Sequence, residues 1–469
     1  MTSQGPRVAV IGLDCGTPQL LFDKLADEIP NINALMQRGM HGELASITPP
    51  ITIPAWACSM TGKTPGQLAI YGMRNRKDTT YDGLSIASSL AVKEPAVWDL
   101  LGQRGLKSLL IGVPPGFPAR PLEGWRVSCF LTPPSAQPET IAQPVELWSQ
   151  VQEELGGEEY IFDIANYREK GKDFVLDQVF KMTERRFRVA RKLVKDKPWD
   201  YFMMVEMAAD RLHHVFWDDF DPEHPKFVPG NPFENAFREY YRYLDREVGA
   251  LIETLPDDAV VILMSDHGGR RMVGGVCFND WLIQEGYLTL SEPVDTQTPI
   301  GKAPIDWSRT VAWGDGGYYG RCFLNVKGRE PQGIVDPERY EQVRDELIAK
   351  LEAMTGPDGE PLGTKVIKPQ DAYPEVRGVA PDLIVYFGDL EWRSVGAVKG
   401  ATVGGVFTYE NDTGPDGANH DRTGVFAMAG LPGQATGRRE GLSLIDVGPS
   451  ILSMYGIDAP EGAVGRSFL

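Results

Sequence analysis

The sequence predicts an α/β fold in which a central, mostly parallel sheet carries helices on both faces. Three observations lead there. Segments Arg7–Leu13, Ser108–Val113, Tyr201–Val205 and Val260–Met264 are apolar almost throughout, as strands buried on both faces are, whereas a sheet with one wet face alternates. Between them lie stretches with apolar residues at helical spacing, which supply the crossovers that parallel strands require. Finally, Asp14 follows the first of these segments and Asp266-His267 the last, and ligands of open α/β sheets bind at the carboxyl ends of strands.

The 469 residues suit one large α/β domain with insertions, or two domains. With 65 acidic against 47 basic residues, the net charge of -18 argues against a nucleic-acid polymer or an anionic membrane as partner. It also means that an anionic substrate needs a strongly positive local site. Cys15, Cys58, Cys129, Cys277 and Cys322 are odd in number and widely spaced, which points to reduced, mostly buried thiols. Neither a signal peptide nor a membrane span is apparent, so the cytoplasm is the expected compartment. Oligomeric state is left open.

In chain order, the strand Arg7–Leu13 delivers Asp14, and Asn31–Arg38 reads as a short helix closed by Gly39. In Thr48-Pro-Pro-Ile-Thr-Ile-Pro-Ala-Trp56 three prolines forbid a regular helix before Trp56. The helical pattern then runs from Ala55 to about Thr61, so Thr52 is expected just ahead of a helix N-terminus, where backbone N–H groups favour an anion. A threonine there can equally serve as a cap. Ala96–Gly105 reads as a helix, Ser108–Val113 as a strand, and Pro114–Tyr167 as long surface connections. Leu176, Phe180, Phe187, Ala190 and Val194 form the stripe of a long helix.

The strand Tyr201–Val205 leads into Glu206-Met-Ala-Ala-Asp210-Arg-Leu-His-His214. If that segment is helical, Asp210 and His214 share a face four residues apart and can share one ion; His213, three apart, can substitute. Phe233–Thr254 reads as another helix, followed by the strand that delivers Asp266 and His267, a hard oxygen beside a borderline nitrogen. Turn-rich segments with short strands at Thr310–Trp313 and Gly320–Val326 and a helix at Pro337–Met354 then read as a cap. Its expected limits are 291–378, with 1–290 and 379–469 as the core. Asp382–Phe387 returns to strand pattern, His420 stands on a glycine-rich loop before the last strand, and a final helix starts near Asp446.

Asp14, Thr52, Asp210, His214, Asp266, His267 and His420 offer too many oxygen and nitrogen donors for one tetrahedral ion, so two divalent ions sharing a substrate is the economical reading. Zinc is favoured, and mixed Asp and His ligands also admit manganese or iron. Three carboxylates against two divalent ions leave a charge of about +1, so the loaded site would attract a phosphate that the bare site repels.

The order Asp14, Thr52-Ile-Pro54, Asp210-Arg-Leu-His-His214, Asp266-His-Gly268, His420 resembles the alkaline phosphatase superfamily, especially its type I phosphodiesterase and nucleotide pyrophosphatase branch. It is closer still to the branch of predicted phosphohydrolases or phosphomutases. Thr61-Gly-Lys-Thr-Pro65, Gly424-Val-Phe426 and Asp446-Val-Gly-Pro-Ser-Ile-Leu452 extend the match over nearly the whole chain. The resemblance implies one metal on Asp210, His214 and His420, another on Asp14, Asp266, His267 and the Thr52 oxygen, and Thr52 as the nucleophile. It implies hydrolysis of a small phosphoric ester, of phosphodiester or nucleotide type, through a phosphothreonine. The alternatives are a phosphomutase and a non-catalytic metal- or phosphate-binding protein. Pyrophosphatases of this kind usually continue Thr-x-Pro with Asn-His, where this chain has Ala55-Trp56; for their phosphate-binding asparagine, Asn75 beside Arg74 is the candidate. Sulfatases require a Cys or Ser in place of Thr52, and membrane-bound phosphoethanolamine transferases require spans this chain lacks.

Overall fold

The computed structural model describes residues 5–399, 405–410 and 414–469; the first four residues of the N-terminal stretch lie outside it. Val8–Leu13 forms the middle of a ten-stranded sheet, parallel to Tyr201–Glu206 on one side and Val260–Met264 on the other. All three strands are buried along their whole length, the burial expected of continuous apolar runs. Beyond Tyr201–Glu206 lie Ser108–Ile111 and Gly124–Val127, both parallel. Beyond Val260–Met264 comes Thr423–Ala429, which is antiparallel, and then Met40–Ala45. Helices cover both faces. Pro30–Arg38, Lys172–Asp196, Ala208–Phe220 and Ala236–Ile252 pack together as one group, and Thr52–Thr61, Val97–Gly102 and Val447–Met454 as the other.

A close approach sets the second group against the sheet. A Cβ on Gly12 would lie 2.6 Å from the Trp56 ring and 3.0 Å from the Met204 carbonyl oxygen, so the missing side chain lets the helix carrying Trp56 lie on the central strand.

A smaller four-stranded sheet, ordered Ala312–Asp315, Gly320–Leu324, Leu383–Tyr386, Lys365–Ile367, has its own hydrophobic cluster with the helix Tyr340–Glu352. The sequence reading put Leu383–Tyr386 with the core. It pairs instead with Gly320–Leu324 and Lys365–Ile367, because an apolar run suits either sheet and only pairing distinguishes them.

Three further expectations are corrected. The helix begins at Thr52 rather than Ala55; Pro54 falls in its first turn, where a missing N–H costs no hydrogen bond. The segment Pro114–Tyr167 is not merely connective, since it supplies the strand Gly124–Val127 and the helix Glu146–Leu155. The buried stripe Leu147, Val151, Leu155 of that helix was legible at four-residue spacing. Lastly, His420 lies on a short strand, Ala418–Asp421, paired with Gly268–Arg271, rather than on a loop. Among the described residues no helix is long and apolar enough to cross a membrane.

Candidate metal centre

Register brings the acids together. Gly12 pairs with Met264 and Leu13 with Glu206, so the three neighbouring strands end level and release Asp14, Asp210 and Asp266 at one rim. Thr423–Ala429 runs antiparallel beside them, so its amino end lies at the same rim and brings His420. Met40–Ala45, reversed again, leaves its carboxyl end there and leads to Thr52, the first residue of its helix.

The donor atoms form two sets. Asp210 Oδ1 lies 3.2 Å from His214 Nε2 and 3.7 Å from His420 Nε2, and the two imidazole nitrogens are 3.3 Å apart. His267 Nε2 lies 3.6 Å from Asp14 Oδ1, 3.2 Å from Asp266 Oδ2 and 3.3 Å from Thr52 Oγ1. Ligands at about 2.1 Å around a tetrahedral ion stand about 3.4 Å from one another, which matches these separations. The His267 and His420 rings stack at 3.8 Å, joining the sets, and His267 also comes within 4.8 Å of the Asp210 and His420 donors. Its shorter distances to Asp266 and Thr52 associate it with the Asp14 set.

Each ligand is held from behind. The Nδ1 atoms of His214, His267 and His420 face acceptors at 2.9, 3.0 and 2.9 Å: Asp416 Oδ1, the Gly268 carbonyl and the Pro50 carbonyl. That arrangement keeps the proton on Nδ1 and leaves the Nε2 lone pair for a cation. One oxygen of each carboxylate is likewise taken. Asp14 Oδ2 accepts from Trp56 Nε1 at 2.8 Å, Asp266 Oδ1 from the Cys15 N–H at 3.3 Å, and Asp210 Oδ2 from Arg211 Nη1. The other three oxygens, Asp14 Oδ1, Asp210 Oδ1 and Asp266 Oδ2, are buried and accept no hydrogen bond. Buried carboxylate oxygens without donors are costly unless a cation meets them, so the residues present fit two divalent ions.

Electrostatics agree. Burial and the charge of Asp210 push the Asp14 carboxyl well above the usual range, and burial and Asp14 do the same to Asp266. Burial would also raise Asp210, but the charges of His214 and Arg211 hold it well below. Burial pulls His267 down to about 4 and, with the neighbouring His267, depresses His420. His214 goes the other way: burial opposes its charge, but Asp416 and Asp210 hold it well above the ordinary histidine value.

The other residues singled out in the sequence lie apart from this cluster. His213 faces away, with Nδ1 3.2 Å from Cys15 Sγ and Nε2 2.8 Å from the Tyr241 hydroxyl, and burial lowers it to about 3. Asn75 spends its amide on its own turn, accepting from the Tyr71 N–H and donating to the Gly72 carbonyl. Arg74 lines a cleft of about 960 Å³ between the two hydrophobic clusters, and Thr52, Asp210, His214 and His420 open onto the same cleft. Among the described residues six arginines, four aspartates and no lysine line it, so the cleft wall carries a small formal excess of positive charge in an acidic chain. Sequence reasoning missed Asp416, Arg168, Arg211 and Tyr318. Of these only Arg211, inside the Asp-x-x-x-His segment, carried a signal. Trp56 had been noted only as a departure from the family pattern; it braces Asp14.

Such a rim, on a sheet of this order, defines an enzyme of the alkaline phosphatase superfamily that hydrolyses phosphoric esters. A family model described as type I phosphodiesterase / nucleotide pyrophosphatase matches residues 8–419, and the chain belongs to that family. Among solved structures, phosphonoacetate hydrolase from Sinorhizobium meliloti 1021, in complex with phosphonoformate, is 14% identical with a TM-score of 0.60, covering 96% of each chain. Human ectonucleotide pyrophosphatase / phosphodiesterase 5 is 14% identical with a TM-score of 0.54, covering 97% of this chain and 96% of that one. An inactive form of the murine counterpart, in complex with AMP, is 13% identical with the same TM-score of 0.54 and the same coverage of 97% and 96%. At these identities the likeness is one of fold. No curated protein matches the sequence.

Proposed function

We propose that this protein hydrolyses a phosphodiester or nucleotide-type ester through a phosphothreonine at Thr52, with two divalent cations, zinc in the first instance. The observation that carries the reading is the trio of buried carboxylate oxygens without donors, each facing an imidazole Nε2, with the Thr52 hydroxyl 3.3 Å from that of His267. Asp210, His214 and His420 would hold one cation, and Asp14, Asp266, His267 and Thr52 the other. Bound there, the cations would neutralise the phosphoryl oxygens and lower the pKa of the threonine hydroxyl.

The chain's own groups do the positioning. The helix Thr52–Thr61 presents its first N–H groups beside the nucleophile, a partial positive charge suited to a phosphoryl oxygen. Thr52 Oγ, its proton lost to solvent, attacks phosphorus in line; the bond to the leaving oxygen breaks, and that oxygen takes up a proton and departs as the alcohol. Water then cleaves the phosphothreonine bond, releasing phosphate from a monoester or the remaining phosphomonoester from a diester and regenerating the hydroxyl. Among the described residues of the two sets, Asp210, His214 and His420 open onto the cleft together with Thr52, so the attacking hydroxyl is reached from the cleft and the leaving group departs toward Asp210, His214 and His420. In-line transfer asks mainly for alignment and charge neutralisation. The five cysteines are buried and form no disulfide among the described residues, which suits a reducing compartment and supports a cytoplasmic location.

The test is a panel of phosphodiesters, nucleotides and phosphosugars given to wild type and Thr52→Ala. Wild type should release alcohol or free phosphate. The variant should lose at least about 1000-fold in kcat while keeping its circular dichroism spectrum and metal content. Full activity in Thr52→Ala rules out the covalent route, and an isomerised substrate without free phosphate marks a mutase.

A further inference from the structure

We infer that Tyr318, on the turn between the strands Ala312–Asp315 and Gly320–Leu324 of the smaller sheet, is a positioning residue for the Asp210, His214 and His420 metal set, acting directly on the His214 ring and through Arg168 and Asp416. The inference rests on the two-cation reading above.

The geometry forms a chain from the cleft wall to one ligand atom. Asp416 Oδ1 lies 2.9 Å from His214 Nδ1, and its side chain is wholly buried. Its other oxygen accepts from Arg168 Nε at 2.8 Å and Nη2 at 2.7 Å, and from the Tyr318 hydroxyl at 3.3 Å. Arg168 also donates to that hydroxyl. The hydroxyl therefore closes a ring with the guanidinium and the carboxylate, and the carboxylate fixes the His214 tautomer. Meanwhile the Tyr318 ring lies flat against His214, with centroids 4.8 Å apart and planes 10° apart, its hydroxyl 3.2 Å from Nδ1 and 3.1 Å from Nε2, and it meets His420 at 4.2 Å, tilted by 30°. Asn419 anchors the turn by donating to the Tyr318 carbonyl at 2.9 Å.

Consequently one side chain from the smaller sheet restrains two imidazoles of the same set. Its hydrogen bonds and ring contacts among the described residues fall on none of Asp14, Asp266 and His267. A group that orients a ligand without touching the ion typically changes metal affinity about 10- to 100-fold. The effect of Tyr318 should therefore be confined to one of two sites, which separates a positioning role from a merely structural one.

The experiment is zinc titration of the metal-free protein against a chromophoric chelator, with thermal unfolding of the metal-free form alongside. Wild type should bind two ions. Tyr318→Phe should weaken one of them about tenfold, leave the other unchanged and leave the metal-free midpoint in place. Arg168→Gln, which breaks the same ring from the cleft side, should give the same selective loss. In an Asp266→Asn background the remaining ion should be the one that Tyr318→Phe weakens. Equal weakening of both ions, or of neither, overturns the inference while sparing the two-cation reading. A wild type that binds other than two ions overturns both.

Discussion

At the scale of single residues, the site is built from carboxylates divided between two tasks. Each of Asp14, Asp210 and Asp266 has one oxygen fixed by a protein donor and one buried without any. Burial and neighbouring carboxylates, Asp210 beside Asp14 and Asp14 beside Asp266, raise the pKa values of Asp14 and Asp266 in the metal-free fold. A carboxylate with a raised folded pKa binds more protons folded than unfolded, so metal-free stability falls as pH climbs from the ordinary carboxylate range through the raised value. A cation removes that penalty by displacing the protons. The zinc-induced rise in Tm should therefore widen between about pH 5 and about pH 7.5, the range above ordinary carboxylate values. At saturating metal it corresponds to about 3 kcal/mol or more, and calorimetry in buffers of different ionisation enthalpy should register proton release. A zinc-induced shift that shrinks as pH rises would contradict the assignment.

At the scale of elements, the decisive contact is the helix Thr52–Thr61 lying across the central strand. Trp56 packs over Gly12 and reaches Asp14 with its indole N–H, so one side chain sets both the seat of the helix and the aim of a ligand. Gly12→Ala would place a methyl group 2.6 Å from the ring, with the Met204 carbonyl behind it. It should cost about 1–3 kcal/mol of stability by denaturant titration and, by shifting Trp56, weaken metal binding as well. Unchanged stability would show that the helix has room to move. The helix itself was legible only from Ala55, because three prolines within seven positions read as a break. Pro54 is tolerated because it falls in the first turn, a fact of register that composition does not carry.

At the scale of the molecule, the cleft lies between two hydrophobic clusters, and a hairpin from the larger one reaches across it. Its two strands are Arg74–Arg76 and Leu84–Ile86. Tyr81 at its tip stacks on Trp307 at 3.7 Å and donates to Asn325 Oδ1 at 2.7 Å, while Arg76 lies over Trp313 and Phe323 and pairs with the buried Glu330 at 3.2 Å. This hairpin ties the smaller sheet to the core. Tyr81→Ala should cost about 1–3 kcal/mol and raise amide exchange in Ala312–Leu324 more than in Val260–Met264. Uniform exchange would show that the smaller sheet is held by other contacts.

The α/β class and most of the core strands were readable because burial on both faces forces a continuous apolar run, and the clustered Asp and His side chains because they stand just after such runs. What a linear reading could not supply is who stands behind whom. Asp416 looks like any loop acid, Tyr318 like any cap aromatic, and Leu383–Tyr386 like a core strand; each acquires its role from a partner up to a few hundred positions away. His213 and His214 are adjacent, yet one faces Cys15 and Tyr241 and the other the metal set. Neighbouring helical residues project about 100° apart, and only the packing of that helix against the sheet determined which of the two imidazoles joins Asp210 and His420.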